Sequence, residues 1–359
     1  MGFYSYRLTQ SVKLLTRLAT LATRVLSDGP YGEGGGVATG LLQMPPTYTT
    51  PAWVTPPAPP PPPAAGVAGY FGGGFNQATG AVLNGIDKIT FPGDTLTTLS
   101  PTLSAPNYTL AGMANSGVAG YFGGGQDFAG RFATVDKITF PGDTKTTLGA
   151  VLTAPNSTLA AMANSGVAGY FGGGNDFDGS VSLIDKITFS SDAKTTLAAT
   201  ISGNRSDLTG MANSGVAGYF GGGFFLSNVI DKITFPGDTK TTLGAVLTEG
   251  RRALAAMAND GVAGYFGGGT SDTVGILEKL NFSTETLSVI SAVTLSRARN
   301  QSAMADPNIA GYFGGGYTSP DPSWGGIDKI TFSSDAKTTL AATLVSAGFY
   351  SSGAMANGS

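Results

Sequence analysis

Cysteine and histidine are both absent from the 359 residues. Without thiols there is no disulfide framework, no thiolate nucleophile and no zinc–thiolate site. Without imidazole the usual general base, the commonest metal ligand and any Ser-His-Asp triad are lost together. Charge is scarce: Asp, Glu, Lys and Arg make up 12% of the chain, and the net charge is −3. A sequence-independent nucleic-acid binder needs a basic face that displaces phosphate counterions, which this composition does not supply. No apolar run reaches the ~20 residues of a membrane-spanning helix. Nucleic acid is therefore excluded as a partner, a membrane role is not expected, and there is no catalytic residue, cofactor or metal to assign.

Glycine, by contrast, is abundant, at 55 residues, and it is ordered in sequence. The motif Gly-Tyr-Phe-Gly-Gly-Gly begins at Gly69, Gly120, Gly169, Gly218, Gly264 and Gly311, with spacings of 51, 49, 49, 46 and 47 residues. Each copy leads, after a variable stretch, to Asp-Lys-Ile-Thr-Phe or a close variant. A period near 48 is neither a heptad nor a short solenoid coil; it is the length of one four-stranded propeller blade. Hydrophobic residues at 41% suffice for a core. The expected fold class is all-β, a six-bladed β-propeller over residues 66–359.

The second repeat gives the template. Strands A to D are expected at 110–115, 117–125, 134–140 and 145–152. Asn115-Ser116-Gly117 supplies the A–B turn. Pro141-Gly142-Asp143-Thr144 supplies the C–D turn, with Gly expected in the left-handed position. The triple glycine ends strand B where a neighbouring backbone must come close. The first repeat enters at strand B, whereas the last runs on to Gly353-Ala354-Met355-Ala356-Asn357, which matches strand A. The tail is thus expected to complete the first blade, pairing Met355 with the strand at 67–71 and removing two sheet edges.

Residues 1–27 read as an amphipathic helix. Leu8, Val12, Leu15, Leu18 and Leu26 share one broad arc, and Lys13, Arg17 and Arg24 lie opposite. Ser27-Asp28-Gly29-Pro30 stops it. Residues 28–65 form a Gly- and Pro-rich linker in which 56–63 is all Pro except Ala58, a stiff polyproline spacer. Three uses of the helix compete: packing on its own domain, a presequence or membrane-surface helix, and docking into a larger assembly, which is favoured.

A strand ending in paired glycines after aromatics, as in Tyr70-Phe71-Gly72-Gly73, resembles the Kelch propeller repeat. Arginines before strand A, at 205, 252 and 297 or 299, lie near where such repeats often carry Arg. Thr146-Thr147-Leu148 stands where Kelch repeats place Trp, so the likeness is one of fold. The near-identical copies of Ile-Asp-Lys-Ile-Thr-Phe-Pro-Gly-Asp-Thr are similar to repetitive propeller proteins of marine bacteriophage virions. That resemblance implies a virion protein.

The recurring Asp-Lys pair, as at 136–137, is read as structural because a group present in every blade serves the blade. The same holds for Asp94, Asp143, Asp192, Asp238 and Asp335 in the C–D turns. Ser190-Ser191-Asp192-Ala193 lacks the Gly and Trp of a sialidase Asp-box, and no pair of loop carboxylates is placed for glycoside hydrolysis.

Variation concentrates in the B–C and D–A loops, which a four-stranded meander brings to one rim. The B–C loops carry Phe75, Phe128, Arg131, Phe177, Phe224, Phe225, Tyr317 and Trp324. The D–A loops carry Tyr108, Arg205, Arg252, Arg299 and Tyr350, together with Asn107, Asn156 and Arg251. Aromatics mixed with amides and arginines suit a saccharide or protein partner. The expected protein is a non-enzymatic virion component: a tail fibre, appendage or capsid decoration. It would bind other virion proteins through residues 1–65, as an oligomer or bound in an assembly, and a host-surface glycan or protein through the loop rim. The alternative is a cytoplasmic Kelch-type interaction scaffold; a carbohydrate-active enzyme is the third reading.

Overall fold

A computed structural model describes residues 67–269, 275–298, 300–316, 324–345 and 352–357. The expected helix at 1–27, with Leu8, Val12, Leu15, Leu18 and Leu26, lies outside the described residues, as does the linker. The described chain is an all-β propeller of six four-stranded antiparallel blades. In blade 2 strands A to D are Ala111–Asn115, Ala119–Gly123, Val135–Thr139 and Thr144–Thr147. Strand D is shorter than the sequence pattern implies. In blades 5 and 6 it extends to Thr286–Thr294 and Ala336–Thr343, each across a bulge.

The tail strand Gly353–Asn357 pairs with Ala68–Asn76, placing Met355 opposite Tyr70 and Ala68 opposite Asn357. Blade 1 is therefore built from both ends of the ring. The six A strands contact one another in a closed circle round the axis.

The glycine motif is explained by what crosses between blades. A Cβ on Gly123 would lie 2.5 Å from the ring of Phe171, one blade on, and a Cβ on Gly172 would meet Phe220 at the same distance. The first glycine of each motif faces a methionine of the preceding blade: Met113 lies over Gly169 and Met355 over Gly120. Side chains from both neighbours thus occupy the space that a Cβ would need. The motif tyrosine is fully buried and stacks on the phenylalanine that ends strand C of the next blade. Tyr70 and Phe140 are 5.0 Å apart, and Tyr312 closes the circle on Phe91 at 4.7 Å.

Polar groups staple the same seams. The aspartate of each Asp-Lys pair is buried and receives the loop arriving from the preceding blade; Asp136 accepts from Ser104 N and Oγ at 2.8 and 2.9 Å. The lysine reaches the other way. Lys137 pairs with Asp192 in the next C–D turn at 2.6 Å, and the Tyr121 hydroxyl donates to the same carboxylate. Lys329, Tyr312 and Asp94 repeat this at the closing seam. In blade 4, burial alone would raise Asp231, but hydrogen bonds from Ser202 and Thr242 and the charge of Arg205 outweigh it and hold the carboxyl low. The C–D turn departs from expectation here. Asp143, not Gly142, has the left-handed φ, at 52°. Asp tolerates that conformation, and its carboxylate is fixed by the tyrosine and lysine of the preceding blade.

The asparagine ending strand A caps the next A–B turn: Asn115 Oδ1 accepts from Gly166 N at 2.8 Å, and Asn357 Oδ1 from Gly117 N at 2.7 Å. Blade 6 has Asp306 instead, 4% exposed. Desolvation raises its carboxyl, Lys329 lowers it and Asp94 raises it, with a net upward shift.

Two substitutions test these seams. Gly123→Ala should cost ~1–3 kcal/mol in urea denaturation through overpacking, whereas Gly149→Ala, with nothing within 4 Å, should be neutral or slightly stabilising. Because Asp306 titrates higher in the folded state, the folded protein favours its protonated form, and stability falls as pH rises from the unfolded towards the folded value. Asp306→Asn should therefore raise Tm at pH 7 and change little near pH 3; equal Tm values at pH 7 would contradict this.

Candidate functional site

The loop rim is knitted by main-chain pairs between successive blades. Tyr108 and Gln126 exchange N–H···O bonds of 2.9 Å, and Ser157 and Asn175 exchange bonds of 3.0 and 2.8 Å. These pairs join the D–A loops entering blades 2 and 3 to the B–C loops of the same blades, so both loop classes share one rim. Nearer the axis, Thr109, Thr158, Asp207, Ala253 and Asn300 all have φ between 53° and 59°. Each of the last four donates its N–H to the carbonyl of the one before it, at 2.8–2.9 Å. This chain of bonds borders a cavity of about 120 Å³ at the mouth of the axis. Among the described residues of its wall Asp207 is the one ionisable side chain; burial raises its carboxyl and Arg252 opposes the shift.

Among the described residues, the expected aromatics of these loops fall into four groups. Phe75, Tyr108 and Phe128 form a cluster with ring centroids 5.8–6.3 Å apart, the Phe75–Phe128 pair edge-to-face. Arg131 lies over the Phe177 ring at 5.4 Å. Arg252 lies over Phe224 at 5.0 Å, and Phe224 is 4.5 Å from Phe225. Arg297 lies over Trp324 at 5.5 Å. Phe128, Phe177 and Phe225 are 74%, 69% and 86% exposed. Exposed aromatics beside guanidinium groups are the residue types that anchor partners.

Arg205 is a correction. It is only 5% exposed, buried in the seam rather than displayed on the rim. Its guanidinium crosses into the next blade, where it donates to Gly222 O at 2.8 Å and pairs with Asp231. Arg251 does the same with Gly268 O and Glu278, and burial lowers it to about 10. Asn107 and Asn156 hold the matching place, bonding Gly124 O and Gly173 O. Arg299, Tyr317 and Tyr350 lie outside the described residues.

The sequence reading missed Leu226, which follows Phe225 at the tip, is 52% exposed and, like Phe225, has a left-handed φ. The signal was present as an unbroken Phe-Phe-Leu run in a loop. The opposite rim carries a repeating ring, with Val118, Val167, Val216, Val262 and Ile309 each about half exposed.

The fold and this rim define the chain as a six-bladed β-propeller with one diversified loop face. No family model matches the chain, and none of the curated proteins matches it.

Removing one partner of the buried pair separates scaffold from surface. Arg251→Ala should cost ~3–5 kcal/mol, since it strands Glu278 in the interior, whereas Phe225→Ala should leave the urea midpoint within experimental scatter. Equal effects would contradict the division.

Proposed function

We propose that this protein is a non-enzymatic virion structural component, an appendage or decoration, whose propeller presents its loop rim to a host surface. The observation that carries the reading is the contrast between the rims. One repeats the same turns, whose carboxylates are engaged by lysines and tyrosines of neighbouring blades. The other has a different set of residues in each blade and leaves Phe128, Phe177 and Phe225 largely exposed. Rings this exposed, set beside guanidinium groups, are the side chains that binding surfaces use, whereas the opposite rim repeats one half-exposed Val or Ile. The virion setting rests on the likeness of the near-identical repeats to phage propeller proteins. In this setting residues 1–65 bind other virion proteins.

The test uses antibody Fab fragments selected on the purified full chain and mapped to either rim by loss of binding to Phe128→Ala, Phe225→Ala or Val118→Ser. Fabs on the loop rim should label virus particles and block their adsorption to host cells, and Fabs at Val118 should label without blocking. Particles that bind neither set would contradict the reading. Deleting residues 1–27 should leave the ring folded by circular dichroism and abolish its incorporation into particles.

A further inference from the structure

The groups on the loop rim are not equivalent. Across blades 1 to 3 they form one stripe. The Phe75–Tyr108–Phe128 cluster spans blades 1 and 2, and Arg131, on the same hairpin as Phe128, reaches Phe177 of blade 3. Hydrogen bonds tie the stripe together. Gln126 Nε2 donates to the Tyr108 hydroxyl at 2.9 Å, and Arg131 Nε donates to Ser157 Oγ at 3.2 Å. Asp127 Oδ1 accepts from Ala129 and Gly130 N–H at 2.7 and 2.8 Å, fixing the Phe128 tip. Asp176 Oδ1 accepts from Asp178 N at 2.9 Å beside Phe177.

We infer that this stripe binds a neutral, chain-like carbohydrate, with Phe128 and Phe177 as stacking platforms and Gln126, Asp127 and Arg131 addressing hydroxyl groups. The inference deepens the host-surface reading and rests on it.

Three properties select this ligand. The first is charge. Asp127, Asp176 and Asp178 outnumber Arg131 on these two hairpins, and every lysine from Lys88 to Lys337 is already in an ion pair. On these two hairpins an acidic polymer would meet more negative than positive charge and be repelled. The second is apolar chemistry. The two hairpin tips, Asp127–Arg131 and Asp176–Gly179, offer aromatic faces and no aliphatic side chain larger than Ala, whereas a protein hot spot needs a pocket that takes aliphatic and aromatic anchors. The third is backbone. Tyr108, Gln126, Ser157 and Asn175 are paired with one another, so no strand edge is offered for an extended peptide to join. Flat rings flanked by fixed donors and acceptors match a sugar, which presents C–H faces and hydroxyl edges together. A surface that is already ordered spends little entropy on binding.

The probe is a glycan array carrying neutral and acidic oligosaccharides, read with the labelled full chain and followed by titration of the strongest neutral ligand. Neutral glycans should be bound, and binding should persist in high salt. Phe128→Ala and Phe177→Ala should each weaken it about tenfold, while Phe225→Ala leaves it unchanged. All three rings are exposed, so unchanged Tm values are expected and separate a lost contact from a lost fold. Binding restricted to acidic glycans, loss in high salt, wild-type affinity in both stripe variants, or no binding would each overturn the inference. If loop-rim Fabs block adsorption and neutral glycans are not bound, the host-surface reading stands and the carbohydrate inference fails. If the Fabs do not block, that reading fails first.

Discussion

The structure depends on contact between blades at positions that have no side chain. In each motif the glycines flanking Tyr-Phe leave room for a methionine from one neighbour and a phenylalanine from the other. A single added methyl on this face would press on an aromatic ring already held in the core. The same contact recurs at every seam of the six-bladed ring. The tyrosine between those glycines is fixed by the same neighbour: its ring stacks on phenylalanine, and its hydroxyl donates to the turn carboxylate. Burial and that carboxylate push the Tyr70 hydroxyl far above the ordinary tyrosine range, so it stays a donor.

Charge follows from this packing. The Asp-Lys pair sits on adjacent strand residues that point in opposite directions, so Asp136 ties its blade to the preceding one and Lys137 to the following one. The seam lysines are bound to turn carboxylates in this way, and a second set, Lys145, Lys194, Lys240 and Lys337, lies beside the buried Asp136, Asp185, Asp231 and Asp328. Diversity is then confined to the loop rim, where main-chain pairs and inward side chains such as Arg205 still serve the seams and the tips are left free to vary. The two rims thus differ in physical role as well as in sequence: one is built from contacts that every blade repeats, the other from side chains that project beyond them.

Much of this was legible in the sequence. The period gave the blade, and Gly353–Asn357 matched strand A closely enough to predict its pairing with Tyr70. The aromatic loops could be placed because a meander sends alternate connections to the same rim. The fate of individual loop residues was not legible. Arg205 and Arg252 both stand in D–A loops ahead of strand A, yet Arg205 turns inward to Asp231 while Arg252 lies over Phe224. The difference is set by the return of the loop over the next blade, where one position faces a glycine carbonyl and another faces solvent. That is a tertiary contact with no local signature. The left-handed turn residue was misplaced for the same reason: Gly142 has the intrinsic preference, but Asp143 has the partners from the blade before it.

Closure of the ring by its tail is the claim on which the rim geometry rests, and hydrogen–deuterium exchange on a chain ended after Val345 tests it most directly. Loss of the tail strand should deprotect amides throughout, including Ala168–Gly172 and Ala217–Gly221 in blades 3 and 4, because each blade is held by its neighbours. Protection lost only within Ala68–Thr98, with blades 3 and 4 exchanging as in the full chain, would contradict it.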